Sequence, residues 1–420
     1  MIIDFTVGNF LSFKDKRTLS FQASGISELP ENIIKIGKNK LLRSGVVYGA
    51  NSSGKSNLIK AIDRMRDLLL NSVKLNDNDF LEYSPFLLSN IENEPTFFEM
   101  EFYQLNKIFR YGFEYNEKKI LNEWLFIKQG SKKEIVQFIR TIDGIGVSPE
   151  FEEGIGKEKS TNDNRLFISL VAQLGGKTSK KILEWFRGYN VLSGIEHKDY
   201  IGFSLRMLHK KIKGCEESLS LYQKLKLGFT DINVKEAEFN TSELPSNMPD
   251  NIRTKLVKEF QGKTMVSIKT VHNKYDKSGQ IIGNILFDKD ENESEGTKKI
   301  IDLSGPIFDT LILGKILIID ELDAKLHPLI TIQIVKLFNN PDTNPNNAQL
   351  FFATHDTNLL NSELFRRDQI WFTEKDATEQ TDLYSLIEFK LPDGSKVRND
   401  SNLERNYIRG RYGAIPFITY

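Results

Sequence analysis

The chain has 420 residues, 39% of them hydrophobic and 27% charged, an ordinary composition for a globular protein with a substantial core. Lysine plus arginine equals aspartate plus glutamate at 57 each, so no net field draws the whole chain to nucleic acid, and only a local basic surface is left for that role. One cysteine, Cys215, excludes an internal disulfide and fits a reducing compartment. His197, His209 and His272 show no ligand spacing, which leaves no structural zinc site. No stretch approaches the roughly 20 apolar residues of a membrane span. The start, Met1-Ile-Ile-Asp-Phe, lacks the basic and apolar regions of a signal peptide. A cytoplasmic protein with no membrane association is expected.

Taken in chain order, residues 1–50 read as short strands. Ile3, Phe5 and Val7 alternate with polar neighbours, a turn follows at Gly8-Asn9, and Ser44–Tyr48 is a short apolar strand. The loop Gly49–Ser56 comes next, then a helix with Leu58, Ile59, Ile62, Met65, Leu69 and Leu70 at helical spacing. Between 96 and 142 the segments Thr96–Phe102, Phe109–Phe113 and Trp124–Ile127 predict an aromatic-rich antiparallel lobe. Residues 143–162 read as an exposed loop, and 166–174, 181–189 and 205–227 as helices. A polar region follows at 240–251, then a hairpin over 264–288 that turns at 277–280. The last 124 residues return to strand–helix alternation: a helix at 297–313 ending on Gly314, a strand at Ile316–Asp320, a helix at 328–338 and a strand at Gln349–Thr354. Strands joined by crossover helices imply a mainly parallel sheet covered on both faces. The expected fold class is therefore α/β. Its organisation is a head split into 1–95 and 291–420, with an antiparallel β-lobe at 96–142 and a mainly helical insertion at 143–290.

Four segments carry chemistry. Gly49-Ala50-Asn51-Ser52-Ser53-Gly54-Lys55-Ser56 matches G-x-x-x-x-G-K-[ST] between a strand and a helix. Glycines there let the backbone wrap phosphates, and free amides at the helix start add partial positive charge. Gly49, Asn51, Ser52, Ser53, Gly54, Lys55, Ser56 and Asn57 are the candidate nucleotide-binding residues, with Lys55 reaching the β- and γ-phosphates and Ser56 ligating Mg2+. Asp320 and Glu321 end a buried strand at the sheet edge where α/β folds place ligand chemistry. Asp320 is the second candidate Mg2+ residue, and Glu321 the candidate general base for the attacking water. The strand Phe351–Thr354 delivers His355, placed to sense the γ-phosphate and orient that water. Finally, Glu293-Ser294-Glu295-Gly296-Thr297 precedes the helix leading to Asp320. Ser294, Gly296 and the free amides there can form a second phosphate site.

This set, with Asp323, resembles the ABC-type ATPase head shared by SMC, RecF and MutS proteins. More narrowly, Ser-Glu-Gly-Thr at 294–297, Asp-Glu-Leu-Asp-Ala-Lys-Leu-His-Pro at 320–328 and the ending Arg409-Gly-Arg-Tyr-Gly-Ala-Ile-Pro resemble the prokaryotic AAA-fifteen/AAA-twenty-one group of phage-defence ATPases. That group includes RloA, AbiLi and the AriA subunit of PARIS. The resemblance implies ATP and Mg2+ as cofactors and a head-to-tail homodimer or higher oligomer. In it each nucleotide would lie between Lys55 of one subunit and Ser294 and Gly296 of the other, with Asp323 coupling the sites. It also implies a separately encoded effector, a nuclease of TOPRIM-like fold. Two departures stand out. The signature is not Leu-Ser-Gly-Gly-Gln, and no glutamine loop is evident beyond the candidate Gln104. The competing reading is a RecF-like or SMC-like ATPase that engages DNA without a toxic partner. Its candidate contacts are Arg398, Arg405, Arg409 and Arg411, with Tyr407 and Tyr412 interleaved.

Overall fold

The computed structural model describes the chain except residues 90–93, 131, 196–197, 242–243, 245–247, 263, 392–393, 399–400 and 417–420. It divides into one unit of residues 1–195 with 310–420 and a second of residues 196–309. The first unit opens with the antiparallel pair β1 (Ile2–Gly8) and β2 (Arg17–Ser20), then a small hairpin, β3 (Ile33–Ile36) and β4 (Asn39–Leu42). β5 (Ser44–Tyr48) is buried along its whole length and leads through the glycine loop into α1 (Lys55–Asn71). The apolar stripe of α1, from Leu58 to Leu69, faces the core, as its spacing predicts.

β6 (Thr96–Gln104), β7 (Lys107–Tyr115), β8 (Ile120–Gln129), β9 (Ile135–Thr141) and β10 (Gly144–Val147) form the antiparallel lobe. β1 pairs with β6, so the lobe is a seven-stranded sheet of order β10-β9-β8-β7-β6-β1-β2 that recruits the N-terminal strand from outside 96–142. Phe98, Met100 and Phe102 alternate inward along β6 and meet Phe5, Phe10 and Phe113 in the aromatic core. Two helices follow, α2 (Phe167–Gln173) and α3 (Lys177–Arg187), and the lobe is fastened to the start of α2 through Glu123. This fully buried carboxylate accepts the amides of Phe167 at 2.7 Å and Ile168 at 3.0 Å and the Tyr111 hydroxyl at 3.1 Å, with Arg140 at 3.9 Å. Glu123→Leu strips those donors of their acceptor and leaves Arg140 buried beside an alkyl group. We expect a loss of about 3–5 kcal/mol, read as a lower urea midpoint by circular dichroism.

β11 (Tyr189–Ser193) follows directly, so the helix expected over 181–189 stops at Arg187 and Tyr189 already belongs to a strand. β11 pairs in parallel with the strand carrying Asp320, which puts residues 143–195 in the first unit rather than in an insertion that starts at 143.

The second unit contains α4 (Lys198–His209), α5 (Cys215–Lys224), β12 (Asp231–Glu238), α6 (Asp250–Phe260), β13 (Thr264–Tyr275), β14 (Ile281–Asp288), α7 (Lys289–Asn292) and the start of α8 (Glu295–Leu313). The single helix expected over 205–227 is broken at Gly214, which sits at φ +101° and opens α5. The expected hairpin at 264–288 is present, but a third strand joins it to give the antiparallel sheet β12-β13-β14. The insertion thus carries a three-stranded sheet, rather than a hairpin alone, beside its helices. The expected polar region at 240–251 lies partly outside the described residues.

The chain then builds the centre of the head with β15 (Ile316–Asp320), α9 (Pro328–Asn339) and β16 (Gln349–Ala353). β17 (Ile370–Lys375), β18 (Thr381–Ser385) and α10 (Leu403–Ile408), none of them anticipated, complete it. The six-stranded sheet runs β11-β15-β16-β5-β17-β18, parallel throughout except for the last pair. Its central strands are buried on both faces, which is why Ile316–Ile319 and Leu350–Ala353 are continuous apolar runs instead of alternating ones. This is the expected α/β fold, a mainly parallel sheet that carries a phosphate-loop segment between β5 and α1, with an antiparallel lobe beside it. β5, β15 and β16 are adjacent, so the segments after Tyr48, Asp320 and Ala353 leave from one edge of the sheet.

Candidate active site

At that edge the loop after β5 is held by side chains from elsewhere in the first unit. Thr373 of β17 shares a hydrogen bond with the Ser53 hydroxyl at 2.7 Å. The Thr381 hydroxyl of β18 donates to the Ser53 carbonyl at 2.9 Å and shares a hydrogen bond with the Ser12 hydroxyl at 2.7 Å, and Ser12 accepts from Asn57 at 2.8 Å. A Cβ on Gly49 would meet the Thr373 carbonyl and the Ser53 hydroxyl. One on Gly54, already at φ +115°, would fall on the Thr381 side chain. Both glycines are therefore required by close approach as well as by backbone shape. Lys55 is 5% exposed, and its ammonium donates to the carbonyls of Gly49 at 2.7 Å and Ala50 at 3.1 Å. Burial lowers its pKa, while Asp320, Glu321 and Asp323 act against that shift.

The loop opens on a cleft of about 520 Å³. Residues 51–57 line it together with Ser12, Glu321, His355 and Lys375. Asn51, Ser52, Ser53, Gly54, Lys55, Ser56, Asn57, Glu321 and His355, all candidates from the sequence, thus line one cleft. Asp320 ends β15 immediately before the lining residue Glu321, and Gly49 follows β5 two residues before Asn51. Ser12 and Lys375 were missed. Nothing in a lone serine after Phe10-Leu11, or in a lysine ending an unanticipated strand, marked them.

Glu321 adopts φ +56°, a left-handed conformation uncommon for a side-chain-bearing residue and often found where function fixes the backbone. The turn it opens is tied down by bonds from Leu322 N to the Ala353 carbonyl at 3.2 Å and from Leu326 N to the Asp323 carbonyl at 2.9 Å. His327 then caps α9 by accepting the Leu329 amide at 3.2 Å, with Pro328 at the first helical position. Gly194, just past β11, donates to the Asp320 carbonyl at 2.6 Å, and a Cβ there would run into the Glu321 carbonyl. Gly194→Ala should displace the Glu321 turn and lower turnover by up to ~10²-fold, the cost of misplacing a reacting group by about 1 Å. ATP affinity should change little. Parallel measurement of kcat and of nucleotide binding checks this.

The carboxylates of Asp320 and Asp323 each bury one oxygen, Oδ1, that makes no hydrogen bond. An unsatisfied buried carboxylate oxygen at a strand end, with Ser56 on the facing loop, suits a hard cation that prefers oxygen ligands. Among the described residues no three acidic, histidine or cysteine side chains gather to hold a metal by themselves. That agrees with Mg2+, which takes one or two protein ligands and completes its shell with phosphate and water. The residues present fit Mg2+.

His355 follows β16, where Asp356 N donates to the Thr354 hydroxyl at 3.0 Å and fixes the turn. Its imidazole pKa is lowered from the ordinary 6.5, first by burial and next by the positive charge of Lys55, with Asp323, Glu321 and Asp320 opposing.

The other candidates lie elsewhere. Ser294 and Gly296 belong to the second unit. There the Ser294 hydroxyl accepts the Thr297 amide at 3.1 Å at the start of α8. Gln104 does not line the cleft; its side-chain amide donates to the Lys181 carbonyl at 3.2 Å. Arg405, Arg409 and Arg411 are exposed, but Tyr407 and Tyr412 are 7% and 1% exposed and pack against Phe372. Those tyrosines are core residues and cannot stack on a base. His209 pairs with Glu236 at 3.0 Å, His272 with Glu293 at 2.8 Å, and His197 lies outside the described residues. Cys215 is buried and free.

A phosphate loop, an acid pair at the end of the neighbouring strand system and a parallel sheet that presents both at one edge define a P-loop ATPase. A protein-family model described as "AAA domain, putative AbiEii toxin, Type IV TA system" matches residues 46–361, well over half of the chain. The chain belongs to that family, AAA_21. No curated protein matches it. Among solved structures it is similar to an SMC head bound to the C-winged helix domain of ScpA, at 14% identity and a TM-score of 0.46, covering 91% of this chain and 97% of that one. It is also similar to the SMC head domain from Thermotoga maritima, at 11% identity and a TM-score of 0.41, covering 91% and 98%. A third is the recombination mediator RecF with ATPrS, at 13% identity and a TM-score of 0.31, covering 91% and 98%. No helix among the described residues is long and apolar enough to cross a membrane.

Proposed function

We propose that the chain is an ABC-type ATPase subunit of a prokaryotic anti-phage system, in which ATP-dependent head-to-tail dimerisation controls a separately encoded effector of the TOPRIM-like nuclease class. The observation that carries the catalytic part is the convergence of Lys55, Glu321 and His355, from three distant chain segments, on one cleft. In this reading Lys55 and the loop amides bind the phosphates of ATP. Ser56 and Asp320 would hold Mg2+, which would supply positive charge against the phosphates when bound. Glu321 takes the proton of the attacking water, and His355 orients that water and senses the γ-phosphate. Ser294 and Gly296 complete the site of a second copy, with α8 directing its N-terminal amides at the γ-phosphate. The family's description as a toxin of a Type IV toxin–antitoxin system supports a place in prokaryotic conflict, and hence a partner encoded beside this chain.

The test is to purify the chain with the product of the adjacent gene. A stable complex, in which effector activity changes when Glu321 is replaced, supports the reading. A neighbour that neither binds nor responds sinks it. The DNA-engaging alternative keeps the exposed Arg405, Arg409 and Arg411 but loses the two tyrosines to the core. It requires salt-sensitive, ATP-strengthened DNA binding by the chain alone.

The lowered pKa of His355 sets a pH expectation. The neutral imidazole dominates at pH 7 and is protonated only as pH falls through a value below 6.5. Burial disfavours the charged form, so this group's contribution to stability is fully present above 6.5 and is lost through the lowered value. For kcat/KM, which reports the free enzyme, the acid limb due to His355 should lie below pH 6.5. A bound triphosphate brings negative charge and should move the corresponding limb of kcat to higher pH. His355→Gln removes the shift between the two limbs. Superimposable limbs in the wild type would count against the role.

A further inference from the structure

The segment before Ser294 is fastened to the sheet of the second unit. Ser294 starts α8: its hydroxyl accepts the Thr297 amide, and its carbonyl accepts the Lys298 amide at 2.9 Å. The residue just before it, Glu293, has a side chain only 7% exposed. That carboxylate accepts from His272 Nε2 at 2.8 Å and also from the Thr270 hydroxyl. Thr270 and His272 lie two apart, on one face of β13, the central strand of β12-β13-β14. The His272 ring is held against Phe287 of β14 at 4.4 Å and Phe229 at 6.2 Å.

A second fastening lies four residues upstream of Glu293. Lys289 of α7 makes a buried ion pair with Asp302 of α8 at 2.7 Å, and Asp288 caps α7 by accepting the Asp290 amide at 2.8 Å. Between the Lys289–Asp302 pair and the start of α8, the Glu293 side chain therefore ties the segment that leads into Ser294 to β13.

We propose that Glu293, clamped by Thr270 and His272, is a positioning residue that aims Ser294 and Gly296, and that the β12-β13-β14 sheet thereby governs the phosphate site offered to a second copy. This rests on the reading that Ser294 and Gly296 close over that copy's ATP. A carboxylate gripped by two donors on one strand holds its backbone more tightly than a single contact would, and a shift of the strand carries the residue with it. An event on the sheet, such as the docking of a partner, would then reach the ATPase without touching Lys55 or Glu321. Merely structural glue would instead affect folding alone and leave the competence of the folded protein unchanged.

The experiment compares Glu293→Gln, His272→Ala, His272→Gln and Ser294→Ala in the full chain. It measures binding of Mg·ATP, ATP-dependent self-association and kcat. Glu293→Gln keeps the shape of the side chain but weakens both bonds, so it guards against simple misfolding. The clamp predicts that Glu293→Gln and His272→Ala bind ATP within about twofold of wild type. Both should lose about tenfold or more in kcat and in ATP-dependent association, on the way to the ~10²-fold cost of a 1 Å misplacement. His272→Gln, which restores a side-chain N–H donor, should recover most of the loss. If Ser294→Ala turns over and associates as wild type does, the reading of a shared site fails and the clamp fails with it. If Ser294→Ala loses activity while Glu293→Gln and His272→Ala keep it, the shared site stands and the clamp alone is overturned.

Discussion

Lys55→Ala should lose ATP binding, and turnover with it. The ammonium is positioned by two loop carbonyls at 2.7 and 3.1 Å and lies close enough to Asp320, Glu321 and Asp323 to feel their charge. Removing it costs the charge-assisted bonds to the β- and γ-phosphates, each about 1.5–3 kcal/mol, or roughly 10²–10⁴-fold in affinity for two. It also leaves three carboxylates facing a polyanion without their nearest cation, which works in the same direction. A second readout follows from linkage. Mg·ATP at about 100 times its Kd should stabilise the wild type by ~2.7 kcal/mol and the variant hardly at all. His355 supplies a third: Lys55 holds its pKa down, so the imidazole of Lys55→Ala should titrate at higher pH, visible by NMR. A variant whose thermal midpoint still rises with Mg·ATP as in the wild type would show that Lys55 is not the phosphate-binding lysine.

What could be read from the sequence tracks how local each physical requirement is. The glycine loop, with Lys55, is legible because wrapping phosphate needs particular residue types at fixed spacing. Ile316–Asp320 is legible because a strand buried on both faces must be apolar until it reaches the acidic edge. The supports of the loop are not legible. Thr373 and Thr381 act through hydrogen bonds that span 320 and 369 positions of the chain, to Ser53 and Ser12, and no local pattern encodes such pairings. Gly194 is similar, since its need to be glycine comes from the Glu321 carbonyl, which arrives from a neighbouring strand.

The second unit was the hardest to read because its strands bury only a few residues, Ile232, Val234 and Ile268 among them, against a small core. β12, Asp-Ile-Asn-Val-Lys-Glu-Ala-Glu, is half charged. β14 is exposed along six of its eight residues although it carries Ile281, Ile282, Ile285 and Leu286. Alternation between polar and apolar residues, the usual strand signal, has little to report along β14, where no residue is fully buried. The tyrosines of the C-terminal segment show the converse error. Tyr407 and Tyr412 sit among arginines in sequence and so look like a nucleic-acid surface. In the fold they turn inward, and Tyr407 lies 5.4 Å from Phe372 and 5.7 Å from Tyr48, the residue that ends β5.

Glu321→Gln is expected to separate binding from hydrolysis. The amide keeps the length of the side chain, and glutamine tolerates the left-handed backbone at φ +56° no worse than glutamate, so the turn from 321 to 326 should survive. What disappears is the basic oxygen that takes a proton from water, a loss worth roughly 10²–10⁴-fold in kcat. Binding should hold or tighten, because one negative charge leaves the neighbourhood of the γ-phosphate. In the proposed head-to-tail arrangement, ATP that is bound but not cleaved keeps two copies together. The variant should therefore accumulate as a dimer with Mg·ATP, while the wild type cycles back as ATP is consumed. Light scattering with and without nucleotide measures this directly, and Lys55→Ala, which should stay monomeric in either condition, is the control. Turnover in Glu321→Gln equal to that of the wild type would assign the water-activating role to another group. Lost turnover with no ATP-dependent gain in mass would keep the base and dismiss the shared site, because then hydrolysis would not need a second copy at all.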